Sequence, residues 1–368
     1  MISFLKEYTN AVTAALLADF SDNYDQDRFG PREKCAVGVS SLIRRALHGC
    51  GLVTAGEAKL TISNGIQFVV PHLENLEWLY SHLADEESYQ TLVKLVAFRA
   101  LGHRKIKLPL NSPDHWARIE DAKKLAVAYE KLDTGFLGWQ LHKMDLAQYG
   151  YPIRLFSTPA GVVCGFVEQQ YRCQTGEGTI EVEQGDRVVD AGGCWGDTAL
   201  YFAYKAGKTG NVASFEFLPA NLAVFRRNLA LNPELAYRIQ VHENAVWSSG
   251  GEALAVNANG PGTTVDKAPA GPVALRVSTV CLDDLIGGAG LDRVDFIKMD
   301  IEGAELEALR GAEGVLKQFK PKLAITVYHD LKDFWTIPQY LAQLGLGYRF
   351  YLRHFTIHAE ETVLFAKP

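Results

Sequence analysis

The stretch VVDAGGCWGDT, residues 188–198, constrains this chain more than any other. Two β-branched residues, Val188 and Val189, run into Asp190. Ala191, Gly192, Gly193, Cys194, Trp195 and Gly196 follow, and Asp197 and Thr198 open a segment that reads as helix to Ala206. The spacing predicts a strand, a tight turn and a helix start. A glycine-rich turn lets a ligand approach the backbone, because no Cβ stands in the way. The helix start adds N–H groups that have no partner within the helix. A dinucleotide fingerprint would need glycine at 191, 193 and 196, and position 191 is Ala191. The pattern Asp-x-Gly-x-x-x-Gly fits without exception, through Asp190, Gly192 and Gly196. Asp190 at the strand end would repel a pyrophosphate and accept the ammonium of a methionine moiety. The turn therefore favours S-adenosylmethionine over NAD. The bland reading is a plain βα turn.

Beyond the turn, strands and helices alternate, which implies a mostly parallel α/β sheet. Strand one is Arg187–Asp190 and its helix Asp197–Ala206. Strand two is Asn211–Phe217, with a helix from Pro219 to Leu231. Strand three is Ile239–Asn244. Strand four is Val294–Asp300, with a helix from Gly303 to Phe319. Strand five is Leu323–Tyr328, with a helix from Ile337 to Leu344. Tyr348–Arg353 and Thr362–Phe365 are the last two strands. The apolar runs LAITV and VDFI suit strands buried on both faces. Ser248–Pro272 is expected to be loop and short strands.

Residues 1–150 read as a mainly helical N-terminal domain, and residues 151–368 as the α/β domain with a leading β-hairpin. Helices are expected over residues 4–20, Val37–Leu47, Leu73–Leu83, Glu86–Leu101 and Trp116–Leu132. Ser21–Glu33, with Gly30-Pro31, reads as a loop. KLTIS and IQFVV, around Asn64-Gly65 within Ala58–Val70, carry a hairpin signal. FSTPAGVVCGFVEQQYRC reads as strand-like, with Cys164 and Cys173 facing each other on a hairpin.

In open α/β sheets, ligands bind beyond the carboxyl ends of the strands. Strand one ends at Asp190 and the turn of Gly192, Gly193 and Gly196. Strand two ends at Glu216, placed to accept hydrogen bonds from ribose hydroxyls. Strand three ends at Asn244 and Ala245, where an adenine amino group would be met. Strand four delivers Asp300 and Glu302, followed by Glu305. Carboxylates before a helix also serve as caps and dipole partners, a reading that suits Glu302 and Glu305 better than Asp300. Strand five runs into His329, a candidate general base because an ordinary imidazole titrates near neutrality.

With these residues assembled, the chain resembles the FkbM family of S-adenosylmethionine-dependent methyltransferases. The resemblance rests on VVDAGGCWGDTA, FEFLPANLAVFRRNLALN, FIKMDIEGAELEALRGA and KLAITVYH, and spans about Val188 to Phe365. It extends more weakly to LADEESYQTLVKLVAFRALG, residues 83–102. It implies a class I methyltransferase sheet, Rossmann-like and seven-stranded, with an antiparallel last strand. It also implies methyl transfer to a hydroxyl of a saccharide, polyketide or related metabolite. Asp190, Gly192, Gly193, Gly196, Asp197, Thr198 and Glu216 fall on the cofactor side of that fold. Asn221, Asn244, Ala245 and Asp300 fall there too, while Asp300, Glu302 and His329 form the catalytic group. Cys194 and Trp195 are bulkier than the family's usual residues in this turn.

A net charge of −6 argues against a nucleic-acid partner held by a basic surface. The six cysteines lack metal-ligand spacing, so no metal site is expected, and thiols rather than disulfides suit a cytoplasmic enzyme. The start MISFLKEYTN lacks the features of a signal peptide, and no run reaches the ~20 apolar residues of a membrane span. The N-terminal helices are open to three roles: substrate lid, homodimer surface or docking module. Two other function classes stand beside the methyltransferase reading. One is a nicotinamide-dependent oxidoreductase on a similar sheet. The other is a non-catalytic module that keeps the fold for partner contacts.

Overall fold

Seven strands form the central sheet: β1 (Arg187–Ala191), β2 (Asn211–Phe215), β3 (Ile239–His242), β4 (Phe296–Met299), β5 (Lys322–Thr326), β6 (Arg349–His354) and β7 (Thr362–Lys367). They are seen in a computed structural model that describes residues 3–20, 47, 50, 52–127, 129–136, 138–267, 275–286 and 292–368. The spatial order is β6-β7-β5-β4-β1-β2-β3. Neighbours from β5 to β3 run parallel, and β7 is antiparallel to both β5 and β6. This is the class I methyltransferase arrangement, with its reversed last strand. The loop expected over Ser21–Glu33 and the helix over Val37–Leu47 lie outside the described residues, Leu47 excepted.

Alternate residues of the sheet feed two different cores, as a period of two requires. Val189, Ala191, Ile297, Met299, Leu323 and Ile325 pack with Phe4, Tyr8, Leu76, Leu92 and Leu95 of the N-terminal helices. Val188, Val212, Phe296, Ala324 and Phe365 pack on the other face with Leu200, Phe202 and Phe225. The N-terminal helices thus share one apolar core with the sheet. They also cover the β6 edge, where the Ala84 N–H donates to Phe350 O at 2.8 Å. Covering an edge strand removes its unpaired backbone groups from solvent. Just beyond, Arg353 pairs with Asp85 at 2.6 Å.

Four sequence expectations are corrected by the fold. Residues Ala55–Val69 form a helix, not a hairpin around Asn64-Gly65. Thr54 caps it by accepting from the Glu57 N–H, and Thr61, Gly65 and Val69 form one buried stripe. A Cβ at Gly65 would lie 3.1 Å from Val12, and Tyr8 donates to Gly65 O at 2.9 Å. Gly65 therefore serves close helix packing rather than a turn. Second, the strand-like stretch after Phe156 turns helical. β-structure ends at Ser157, Thr158 caps the helix Pro159–Val162, and Val163–Val167 continues as a π turn. Cys164 therefore sits on helical backbone and Cys173 on a separate short strand, Cys173–Thr175. Third, the helix expected over Trp116–Leu132 spans Pro113–Lys124, and Lys131–Asp133 is a strand. Fourth, the long helix expected from Gly303 divides into Glu305–Arg310 and Glu313–Phe319. Gly311 O accepts instead from the Asp283 N–H and the Cys281 thiol, which breaks the helical ladder there.

Two further pieces flank the cleft. Strands Ala253–Asn257 and Thr264–Asp266 form a hairpin that pairs with the strand Leu275–Val280 in a separate small sheet. Strands Lys131–Asp133, Gln140–Asp145 and Arg154–Ser157 form a small sheet held against the helix Pro219–Ala230. Asn228 and Asn232 clamp it. Each carboxamide accepts one backbone N–H and donates to a carbonyl, at Phe156 and Arg154 respectively.

Candidate active site

A cleft opens beyond the carboxyl ends of β1, β2, β3 and β4. Gly192, Cys194, Glu216, Phe217, Asn221, Asn244, Ala245, Asp300, Ile301 and Glu302 line it, and Gly260, Pro261 and Thr263 of the hairpin roof it. All its charged residues are acidic: Glu216, Asp300 and Glu302. Asp190, Gly193, Gly196, Asp197, Thr198 and His329 are not on the lining.

The glycine turn is shaped by packing behind it. Gly192 has φ +85°, and a Cβ there would stand 1.9 Å from Asp300 O. Cβ atoms at Gly193 and Gly196 would strike the Ser214 hydroxyl and the Phe225 ring, at 2.3 and 2.2 Å. Gly192 was expected to leave room for a ligand, but its missing Cβ makes room for the β4 backbone. Asp190 stands behind the turn, fully buried. Its carboxylate accepts from Ser214 at 2.7 Å and from Thr198 at 3.0 Å, and Lys298 Nζ lies 3.3 Å away. Lys298 also donates to Ala191 O and Gly192 O, at 3.1 and 2.6 Å. Burial works against the Lys298 charge, but Asp190 and Asp300 outweigh it and raise its pKa. Asp197, on the first turn of the following helix, is raised by burial. The sequence pointed to Asp190 and overlooked Lys298, although a lysine within the apolar run FIKM was the available signal.

Glu216 is nearly buried at the end of β2. One carboxylate oxygen accepts from the Phe217 and Leu218 N–H groups, both at 2.7 Å, and the other from Asn221 Nδ2 at 3.2 Å. It thereby fixes the turn that leads into the helix beginning at Pro219, whose own first N–H groups have no side-chain cap. Burial raises its pKa, partly offset by those donors. Asn244 donates to Ser278 O at 3.3 Å, and Ala245 is buried beside it.

The acidic end gathers around His329. Asp300 accepts from Tyr171 and Tyr328, at 3.1 and 3.2 Å. Glu302 holds a left-handed φ of 57°. His329 Nε2 lies 3.5 Å from Asp300 and 3.3 Å from Glu302, and Nδ1 lies 3.1 Å from buried Glu305. Burial works against a charged ring, yet Glu302, Glu305 and Asp300 outweigh it and bring His329 up to about 11. An imidazole with an ordinary pKa, expected for a general base, is not what the fold presents. Glu361, raised to about 8 by burial and the charge of Asp300, adds another carboxyl nearby. The sequence brought Asp300, Glu302 and His329 together correctly, but it missed Tyr171, Tyr328 and Glu361. Tyr171 and Glu361 are far from the motif in sequence and arrive only through folding.

Residues 182–350 match the methyltransferase FkbM domain. Over this stretch the chain is similar to the FkbM methyltransferase family. Among curated relatives, "Methyltransferase sdnD" of Sordaria araneosa is 30% identical over 156 residues, covering 34% of this chain and 60% of that protein. "Methyltransferase 1" of Beauveria bassiana is 27% identical over 181 residues, covering 44% of this chain and 72% of that protein. The chain thus spans less than two thirds of the Sordaria protein's length. The crystal structure of methyltransferase FkbM from Methylobacillus flagellatus shares the fold at a TM-score of 0.52 and 20% identity, covering 94% of this chain and 72% of that one. The matched stretch runs from β1 through β5 to the first two residues of β6, and includes Glu216, Asp300 and Glu302 of the cleft. Among the described residues, no helix is long and apolar enough to cross a membrane.

Proposed function

We propose that the protein is an S-adenosylmethionine-dependent methyltransferase that methylates a hydroxyl of a saccharide, polyketide or related small metabolite. The observation that carries this reading is the cleft's charge. Among the described residues, the charged ones that line it are Glu216, Asp300 and Glu302. A pyrophosphate would meet three carboxylates and no cation there, whereas a cationic sulfonium with an ammonium group suits them. Glu216 keeps lone pairs beyond its three donors, which fits it to a ribose diol. Asn244, Ala245 and Phe217 offer a carboxamide and apolar walls to a purine. Asp190 acts from behind by holding Lys298 and Ser214, and so the turn, in place.

Bound in this cleft, the cofactor supplies a methyl group that is already activated as a sulfonium. The chain's task is then to align the acceptor and exclude water. Asp300 and Glu302, on the cleft wall, orient the acceptor hydroxyl and take its proton. The roof of Gly260, Pro261 and Thr263 keeps solvent out. The N-terminal helices packed on the sheet serve as lid, docking or dimer surface.

Calorimetric titration with S-adenosylhomocysteine and, separately, NADH tests the reading. Binding of the former alone is expected. Binding of NADH instead would favour an oxidoreductase, and binding of neither would favour a non-catalytic module.

A further inference from the structure

The acceptor end of the cleft is arranged for more than hydrogen bonding. Asp300, Glu302 and His329 each place one ligand-type atom within 4.8 Å of the others. The His329 side chain is only 8% exposed. Its Nε2 points between Asp300 Oδ1 and Glu302 Oε2 at 3.5 and 3.3 Å, and neither contact is aligned as a hydrogen bond. A buried ring nitrogen aimed between two carboxylate oxygens needs positive charge between them, either its own proton or a metal cation that takes the proton's place. Ligand atoms ~2.1–2.2 Å from one cation, at roughly 90–110°, stand about 3.0–3.6 Å apart. Both Nε2 distances fall in that range.

The surroundings hold these atoms in place. Glu305 Oε1 lies 3.1 Å from the other ring nitrogen and accepts from the Ile301 N–H at 2.8 Å and the Thr326 hydroxyl at 3.2 Å. A carboxylate behind the second nitrogen is the usual support of a metal-bound histidine. Tyr171 and Tyr328 fix Asp300 from behind. Glu302 reaches the cluster from a left-handed backbone that non-glycine residues seldom adopt.

We propose that Asp300, Glu302 and His329 bind one divalent cation of the Mn²⁺ class at the acceptor end of the cleft. One imidazole and two carboxylates make a mixed donor set, harder than a zinc site built on thiolates and softer than an all-oxygen magnesium site. Three protein ligands leave positions open on an octahedral ion. Given the methyltransferase reading, on which this role rests, the acceptor hydroxyl occupies one of them. The cation lowers that hydroxyl's pKa. As the new O–CH₃ bond forms, the S–CH₃ bond breaks and the hydroxyl proton passes to a carboxylate oxygen. The cation is neither oxidised nor reduced.

The test is titration of metal-stripped protein with MnCl₂ alone, read by the electron paramagnetic resonance of free Mn²⁺ and by metal analysis after dialysis. One Mn²⁺ per chain is expected. Glu302→Gln and His329→Ala should each weaken binding at least tenfold. Glu243→Gln, at a surface carboxylate, should not change it. Absence of binding by the wild-type chain, or unchanged binding in both site variants, overturns the proposal. If His329→Ala does not fold, Glu302→Gln decides alone. A parallel titration with S-adenosylhomocysteine separates the two readings. Its binding without Mn²⁺ uptake removes the cation and leaves the methyltransferase, and Mn²⁺ uptake without it does the reverse.

Discussion

Lys298 and Asp190 form an ion pair 3.3 Å long in which both side chains are almost wholly buried, one strand apart beneath the glycine turn. Removing one partner of a buried pair leaves a charge without compensation and costs about 3–5 kcal/mol. Lys298→Met is expected to lose stability in that range, measured by urea unfolding. Lys298→Met combined with Asp190→Asn should lose less than the sum of the two single changes. An additive result would mean that the pair does not interact.

Gly192→Ala tests packing rather than ligand space. The added Cβ meets Asp300 O at 1.9 Å, and the residue's φ of +85° disfavours any side chain. Strain of this kind costs on the order of 1–3 kcal/mol before the clash is counted. A clearly lowered melting temperature is expected in the absence of any ligand. Wild-type stability combined with lost cofactor binding would return Gly192 to the role first read from the sequence.

Glu216→Ala should weaken S-adenosylhomocysteine binding by about 10- to 150-fold, since a hydrogen bond to a charged group contributes roughly 1.5–3 kcal/mol. Glu216 also holds the turn before the helix through the Phe217 and Leu218 N–H groups, so the melting temperature should fall too. Glu216→Gln retains an acceptor for the backbone donors and should recover stability better than affinity. Equal recovery of both would leave Glu216 as a support of that turn alone.

Acid should uncouple the N-terminal helices from the sheet edge. Burial would raise the Asp85 pKa, but Arg353 and Ser88 outweigh it and hold it below the ordinary value. A carboxylate depressed in the folded state stabilises above its unfolded pKa of about 3.9, and that contribution fades as pH falls through the folded value. Asp85→Asn should therefore be less stable than wild type at pH 6, with the gap closing below about pH 4. A gap that persists in acid would assign the effect to packing.

The parallel core was legible because burial on both faces leaves a simple signature: VVDA, FIKM and LAIT are near-continuous apolar runs. Strand ends then located Glu216, Asp300 and Glu302 on one cleft, with His329 packed against the last two. Asn64-Gly65 misled because a turn signal is local, whereas the approach of Tyr8 and Val12 to Gly65 is not. The stretch after Ser157 misled because Val162, Val163 and Val167 favour strands alone but follow a Thr158-Pro159 helix start. The electrostatic state of His329 was beyond sequence reasoning altogether. It depends on three carboxylates, all from the β4 end, meeting one ring from β5.

Asn228 donates to Trp195 O in the glycine turn and to Phe156 O, and accepts from the Phe156 N–H. One carboxamide thus ties the glycine turn, the small sheet and the helix Pro219–Ala230 together. On the other side of the cleft stands the hairpin carrying Gly260 and Thr263. Gly260, with its φ of +56°, packs where a Cβ would stand 2.7 Å from Phe136, so the closed hairpin latches onto the small sheet through a contact that only a bare backbone allows. A bulkier residue at 260 would have to push Phe136 aside or lift the hairpin, reshaping the roof of the cleft while leaving its acidic wall in place.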